Sequence, residues 1–186
     1  MLKPSTGSQK PDRMALSTAY IGIGSNVGDR FANLQMAVSM LDLVPDTTVT
    51  GVSRVYMTEP VGVAGQERFF NAVVEISTEL EPPELRQQCK SIEHDLGRPD
   101  RYKRWSPRTI DLDILLYRDL CLKSDLLIIP HKELHCRKFV LIPLLDIANP
   151  THPLLKRTIA DLLKTCGDLS VPVRLLEKLV IKKAGC

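Results

Sequence analysis

Arg108-Thr109-Ile110-Asp111-Leu112-Asp113-Ile114-Leu115-Leu116-Tyr117 is the stretch that decides how this chain folds. Ile110, Leu112, Ile114 and Leu116 put aliphatic side chains at alternate positions, the period of a strand with one face on a core. Asp111 and Asp113 then share the opposite face, roughly 7 Å apart at Cα for a rise of about 3.3 Å per residue. Two like charges so placed carry a cost unless a cation lies beside them. Paired hard oxygen ligands suit Mg²⁺, which is commonly held by one or two carboxylates together with substrate phosphates. The competing reading is the solvated face of an edge strand.

Immediately upstream runs Gly97-Arg98-Pro99-Asp100-Arg101-Tyr102-Lys103-Arg104-Trp105-Ser106-Pro107-Arg108, with five cations interleaved with Tyr102 and the only Trp of the chain. Gly97, Pro99 and Pro107 oppose a regular element, so a basic loop enters the acidic strand. Carboxylates can hold a metal while guanidinium forks take the remaining phosphate oxygens. The alternative is a solvated loop or a nucleic-acid patch. The neighbouring Asp111 and Asp113 favour a phosphate site, since carboxylates repel a nucleic-acid backbone unless metal intervenes. A non-catalytic RNA-binding module would instead show strongly salt-dependent binding without ATP turnover.

A chain of 186 residues suggests one domain, with ordinary hydrophobic (44%) and charged (25%) content. A net charge of +3 is too small to argue for a nucleic-acid partner. No apolar run is long enough to span a bilayer. Residues 1–17 are polar, without the apolar segment of a secretory signal, and read as a flexible tail before a single domain over 18–186. Five cysteines, odd in number and widely spaced, disfavour a disulfide framework or a zinc site and fit a cytoplasmic location. His131 and His135 are four apart, but Glu133 is misplaced for the H-E-x-x-H pattern.

Outward from the acidic strand, residues 18–23 read as a first strand ending in a Gly24-Ser25-Asn26-Val27-Gly28 turn. Asp29 can cap a helix carrying Phe31, Leu34, Val38 and Leu41. Residues 47–56 form a second strand and 70–77 a third. Pro82 and Pro83 open a second helix with Leu85, Cys89, Ile92 and Leu96 on one stripe, stopped by Gly97. With the Asp111/Asp113 strand, the order is β-α-β-β-α-β, an α+β fold with an antiparallel sheet and a ferredoxin-like core. A short hairpin near 122–129, a loop over 131–139, an apolar segment over 140–147, a weak helix over 158–163 and another over 173–181 make the C-terminal extension.

Gly22-x-Gly24 lacks the third glycine of a dinucleotide-binding turn, and Gly28-Asp29-Arg30 is not a P-loop. A nucleotidyltransferase would pair a Gly-Ser turn with D-x-D, but Ser25 and Asp111 are far apart in sequence.

The segments Tyr20-Ile21-Gly22-Ile23-Gly24-Ser25-Asn26, Thr58-Glu59-Pro60, Phe70-Asn71-Ala72, Arg104-Trp105-Ser106-Pro107-Arg108-Thr109-Ile110-Asp111-Leu112-Asp113 and Pro130-His131 occur in a telling order. In them the chain resembles, from about residue 18 to 147, the 6-hydroxymethyl-7,8-dihydropterin pyrophosphokinases of folate synthesis. The resemblance implies that ATP gives its β,γ-pyrophosphoryl group to the pterin hydroxymethyl oxygen, leaving AMP. Such transfer depends on positioning and charge stabilisation, which suits a chain with acids and arginines and no nucleophile–base pair. By the same resemblance Asp111 and Asp113 hold two Mg²⁺ ions brought with ATP, and Arg98 and Arg108 contact the polyphosphate. Glu93, His131 and Arg137 match further ATP positions. Phe69 and Phe139 match the pterin-stacking positions, Asn71 reads the ring edge, and Gly24, Thr58, Val61 and Asp111 complete the pocket. Phe69 departs from the family's usual Tyr, which leaves stacking intact. Association with other folate enzymes is open.

Overall fold

The computed structural model describes residues 15–60, 65–99 and 106–181. Strand β1 (Ser17–Ser25) leads to helix α1 (Arg30–Asp42), whose first turn is capped as its sequence requires: the Asp29 carboxylate accepts the Ala32 N–H at 3.0 Å. Next come β2 (Thr47–Val52), β3 (Tyr56–Thr58) and β4 (Phe69–Thr78), then α2 (Pro82–Asp95). The Glu81 N–H donates to the Glu84 carboxylate at 3.0 Å at the start of α2, and Gly97 follows its end at φ 85°, where glycine is unstrained. The acidic strand is β5 (Asp111–Tyr117). The extension holds β6 (Leu122–Lys123), β7 (Ile128–Ile129), α3 (Lys138–Leu145), β8 (Thr151–His152), β9 (Arg157–Thr158), α4 (Ile159–Lys164) and β10 (Val173–Arg174).

The main sheet runs β10-β3-β4-β1-β5, with β2 also on β4, and every pairing is antiparallel. The chain is thus of mixed α and β structure around an antiparallel sheet. Helices α1 and α2 cover one face through Leu34, Ala37, Val38, Leu41, Leu85, Cys89 and Ile92, packed on Ile21, Ile23, Val74 and Ile76. On the other face, Leu134, Val140, Leu141, Leu144, Ile159 and Leu162 cover Val73, Leu115 and Leu116. That second cover reaches only part of the face. Beyond Leu115 towards Asp111 it stops, and a cavity takes its place.

Two expectations need correction. The single strand over 47–56 is two strands, because Ser53 bridges the break: its N–H donates to Val73 O (2.9 Å) and its Oγ accepts the Val73 N–H (2.8 Å). Residues 173–181 are not a helix. Val173 and Arg174 pair with Met57 and Tyr56, and the rest carries no helix. Helix preferences of a few tenths of a kcal/mol per residue yield here to edge pairing and to burial of Leu179, worth about 1.5–3 kcal/mol for a leucine. The β8–β9 hairpin and a 3-10 turn at Leu134–Cys136 were not anticipated. Among the described residues no helix is long and apolar enough to cross a membrane.

Candidate active site

Two glycines on the central strand make the cavity. Gly24 lies opposite Asn71 of β4 on one side and Asp111 of β5 on the other. Gly22 lies likewise between Val73 and Asp113. Residues directly opposed across a ladder share a face, so the missing side chains leave a floor walled by Asn71 and Val73 on one side and the carboxylates on the other. A Cβ on Gly24 would sit 3.0 Å from Asn71 Oδ1, tighter than a side chain tolerates without displacing the amide. Thr58, Phe69, Arg108, His131, Arg137 and Phe139 complete the lining.

Every described residue expected at the pterin site therefore meets here: Gly24, Thr58, Phe69, Asn71, Asp111 and Phe139. Val61, and residues 100–105 of the basic loop, lie outside the described residues. Asn71 Nδ2 donates to Thr58 Oγ1 at 2.8 Å, which sets the amide. The Arg108 guanidinium lies 5.3 Å from the Phe69 ring centre and that of Arg137 5.4 Å from Phe139, both within cation–π range. Arg137 also pairs with Glu133.

Of the residues expected to bind nucleotide, Arg108, His131 and Arg137 line this cavity, whereas Glu93 and Arg98 lie behind the acidic strand. Arg98, with a side chain 4% exposed, joins two acids: its Nη1 is 2.8 Å from Glu93 Oε1 and also donates to the Asp111 carboxylate. Glu93 Oε1 further accepts the Leu112 N–H and the Lys90 ammonium, each at 2.8 Å. Arg108 Nη1 approaches the other Asp111 oxygen at 3.1 Å. Asp111 is thus held between two arginines.

The two aspartates consequently differ. Burial alone would raise the Asp111 carboxyl, but Arg108 and Arg98 outweigh it and hold it below the ordinary range. The Asp113 carboxyl is pushed up, first by desolvation among the groups packed around it and then by the Asp111 charge. Water still reaches Asp113 through the cavity mouth, so it remains available to an entering cation. Burial pushes His131 down, against the pull of Asp113. Its Nδ1 accepts the Glu133 N–H at 3.3 Å, which assigns the neutral tautomer with a donor at Nε2. The Cys89 thiol is pushed up to about 12 by burial and by Glu93, which leaves it inert as a nucleophile near neutral pH.

A second cavity opens between α2, β5 and the β6–β7 hairpin, lined by Arg86, Lys90, Ile114, Leu127, Ile128 and Lys132. Asp113 and His131 border both cavities. Among the described residues no group of three or more His, Cys, Asp or Glu could hold a metal unaided.

Asn26 received no role from its sequence context. It is 2% exposed, its Oδ1 accepts the Arg108 N–H (2.8 Å), its own N–H donates to Arg108 O (3.1 Å), and its Nδ2 donates to Gln66 Oε1 (3.1 Å). It ties the β1–α1 turn to the start of the acidic strand. No local pattern pairs two residues 82 positions apart.

Residues 20–149 match the family described as 7,8-dihydro-6-hydroxymethylpterin-pyrophosphokinase (HPPK). The 2-amino-4-hydroxy-6-hydroxymethyldihydropteridine pyrophosphokinase of Bacillus subtilis (strain 168) is 48% identical over 131 residues, covering 70% of this chain and 78% of that protein. The "Folate synthesis bifunctional protein, mitochondrial" of Arabidopsis thaliana is 46% identical over 127 residues, 68% of this chain and 23% of that protein. Plasmodium falciparum HPPK-DHPS, wild type with pteroate, superposes with a TM-score of 0.65 at 16% identity, over 84% of this chain and 43% of that chain. That last likeness is one of fold, and this chain spans less than half of the Plasmodium protein. The family match contains every residue that lines either cavity, from Gly22 to Val140, and the chain belongs to the 7,8-dihydro-6-hydroxymethylpterin pyrophosphokinase family.

Proposed function

We propose that this pyrophosphokinase transfers the β,γ-pyrophosphoryl group of Mg-bound ATP to the hydroxymethyl oxygen of 6-hydroxymethyl-7,8-dihydropterin, releasing AMP, in the cytoplasm. The observation that carries this reading is the pair of cavities meeting at Asp113 and His131, one holding Phe69, Phe139 and the Asn71 amide, the other combining Ile114, Leu127 and Ile128 with the cations Arg86, Lys90 and Lys132. In this reading the pterin ring lies between Phe69 and Phe139, and the Asn71 amide reads its edge beside Gly24 and Thr58. Adenosine occupies the cavity of Ile114, Leu127 and Ile128, and the phosphates cross from there to the acidic strand. The new bond joins the pterin oxygen to the β-phosphorus, and the bond from that phosphorus to the α-phosphate breaks.

Asp111 and Asp113 fit two Mg²⁺ ions, because they set hard carboxylate oxygens side by side at the cavity, opposite Gly24 and Gly22, and their like charges favour a cation between or beside them. Bound there with phosphates, the ions would neutralise charge on the transferred group. Arg98 keeps Asp111 ionised and aimed, Arg108 offers its guanidinium to the polyphosphate, His131 donates from Nε2, and Arg137 adds a cation. Glu93 acts through Arg98 and the Leu112 N–H. The β5-β1-β4-β2 order with α1 and α2 on one face supports a ferredoxin-like core. The bifunctional names of the Arabidopsis and Plasmodium proteins support association with other folate enzymes.

Calorimetric titration with a non-hydrolysable ATP analogue tests the assignment. Binding is expected to tighten strongly with Mg²⁺ and to be followed by pterin binding. Equal affinity with and without Mg²⁺ would refute the metal role. Gly24→Ala, whose methyl displaces Asn71, is expected to weaken pterin binding about tenfold, the effect of about 1.4 kcal/mol, with ATP-analogue affinity unchanged. An unaltered pterin affinity in that variant would place the ring elsewhere.

A further inference from the structure

Residues 165–181 follow α4, outside the family match, yet they are tied into the body of the fold. Asp168 Oδ2 accepts the Lys138 N–H at 2.8 Å. Val173 and Arg174 pair with Met57 and Tyr56, and the Leu175 N–H donates to Val55 O at 2.9 Å. Leu175, Leu179 and Ile181 pack on the core beneath α1. At the far end Gln35 of α1 grips both backbone groups of Val180: Nε2 donates to its O (2.8 Å) and Oε1 accepts its N–H (2.9 Å).

The strand this segment covers is the shortest of the strands that line the pocket. β3 is three residues long, and its other ladder runs only from Tyr56 opposite Asn71 to Thr58 opposite Phe69. Without β10 it would be a short edge strand with one ladder, the kind of element that opens at low free-energy cost. Thr58 sets the Asn71 amide, and Glu59 and Pro60 continue round the cavity. The opposite, cation-rimmed cavity is built instead by α2, β5 and the β6–β7 hairpin.

We infer that residues 168–181 form a strap that positions β3, and through Thr58 the Asn71 amide, so that it sets affinity on the pterin side of the site. This rests on the pterin reading of that wall. Two variants of the full chain test it from opposite ends. Leu175→Pro removes the N–H that bonds Val55 O. Gln35→Ala removes both bonds to Val180 and lies outside both cavities.

In each, amide exchange at Tyr56–Thr58 is expected to quicken. KM for the pterin is expected to rise about threefold to tenfold, with kcat and KM for ATP held within about twofold, on the scale of one or two hydrogen bonds. Unchanged exchange in both variants overturns the proposal. Faster exchange with an unchanged pterin KM also overturns it, as does an equal loss for both substrates, which marks a merely structural role. A wild-type chain that makes no AMP refutes the pterin reading instead, and the exchange rates alone then decide the strap's hold on β3.

Discussion

Asp113→Asn is expected to lower turnover about a hundred- to a thousandfold, the scale seen when one preorganised electrostatic group is removed from an active site. The same change is expected to leave the melting temperature unchanged or higher. Asp113 is pushed up by desolvation and by the charge of Asp111, so its ionised form is disfavoured in the folded chain. Neutralising it relieves like-charge repulsion while removing a ligand, the trade between stability and function common at such sites. The pairing of the two readouts is what discriminates. Near-normal turnover would refute the metal role, and a large drop in melting temperature would mean that the carboxylate serves the fold.

Arg98→Met is expected to do the reverse and act first on stability. Removing one partner of a buried ion pair typically costs about 3–5 kcal/mol, because the other charge is left uncompensated. Here two acids depend on the same guanidinium: Glu93, 3% exposed, and Asp111. The cost should depend on pH. Glu93 is already raised by burial, with Lys90 and Arg98 opposing that rise. A carboxyl raised in the fold lowers stability as pH climbs through the window above its unfolded value of about 4.3. Loss of Arg98 raises it further, so the variant should lose more stability at pH 7 than near pH 4.5. Asp111 in the wild type has the opposite sign: it is held low, and its contribution is present above the ordinary carboxyl range and lost as pH falls below it. Urea unfolding of both chains at the two pH values measures the difference. A penalty independent of pH would mean that Arg98 acts by packing alone.

Much of this site could be read from the chain because its chemistry is carried by short-range pattern. The alternation of β5 placed Asp111 and Asp113 on one face, and the glycines of β1 proved to lie directly opposite them. Asp29, Pro82 and Gly97 marked helix ends by local backbone chemistry and held to those positions. What could not be read depends on chain segments meeting across the fold. Arg98 stood in a basic loop and looked like a phosphate contact, yet it turns inward because Glu93 and Asp111 converge on it. Asn26 gains its place from Arg108 and Gln66, both distant in sequence. Leu175, Leu176, Leu179 and Val180 have helical spacing, but the open edge of β3 claims that segment for an extended path.

Product analysis of a single incubation bears most directly on the proposed transfer. The protein is mixed with ATP, Mg²⁺ and 6-hydroxymethyl-7,8-dihydropterin, and the nucleotide and pterin products are separated and identified. AMP and the pterin diphosphate in equal amounts are the expected result, with neither formed when Mg²⁺ is removed. ADP with a pterin monophosphate, or free pyrophosphate with an unmodified pterin, would contradict it.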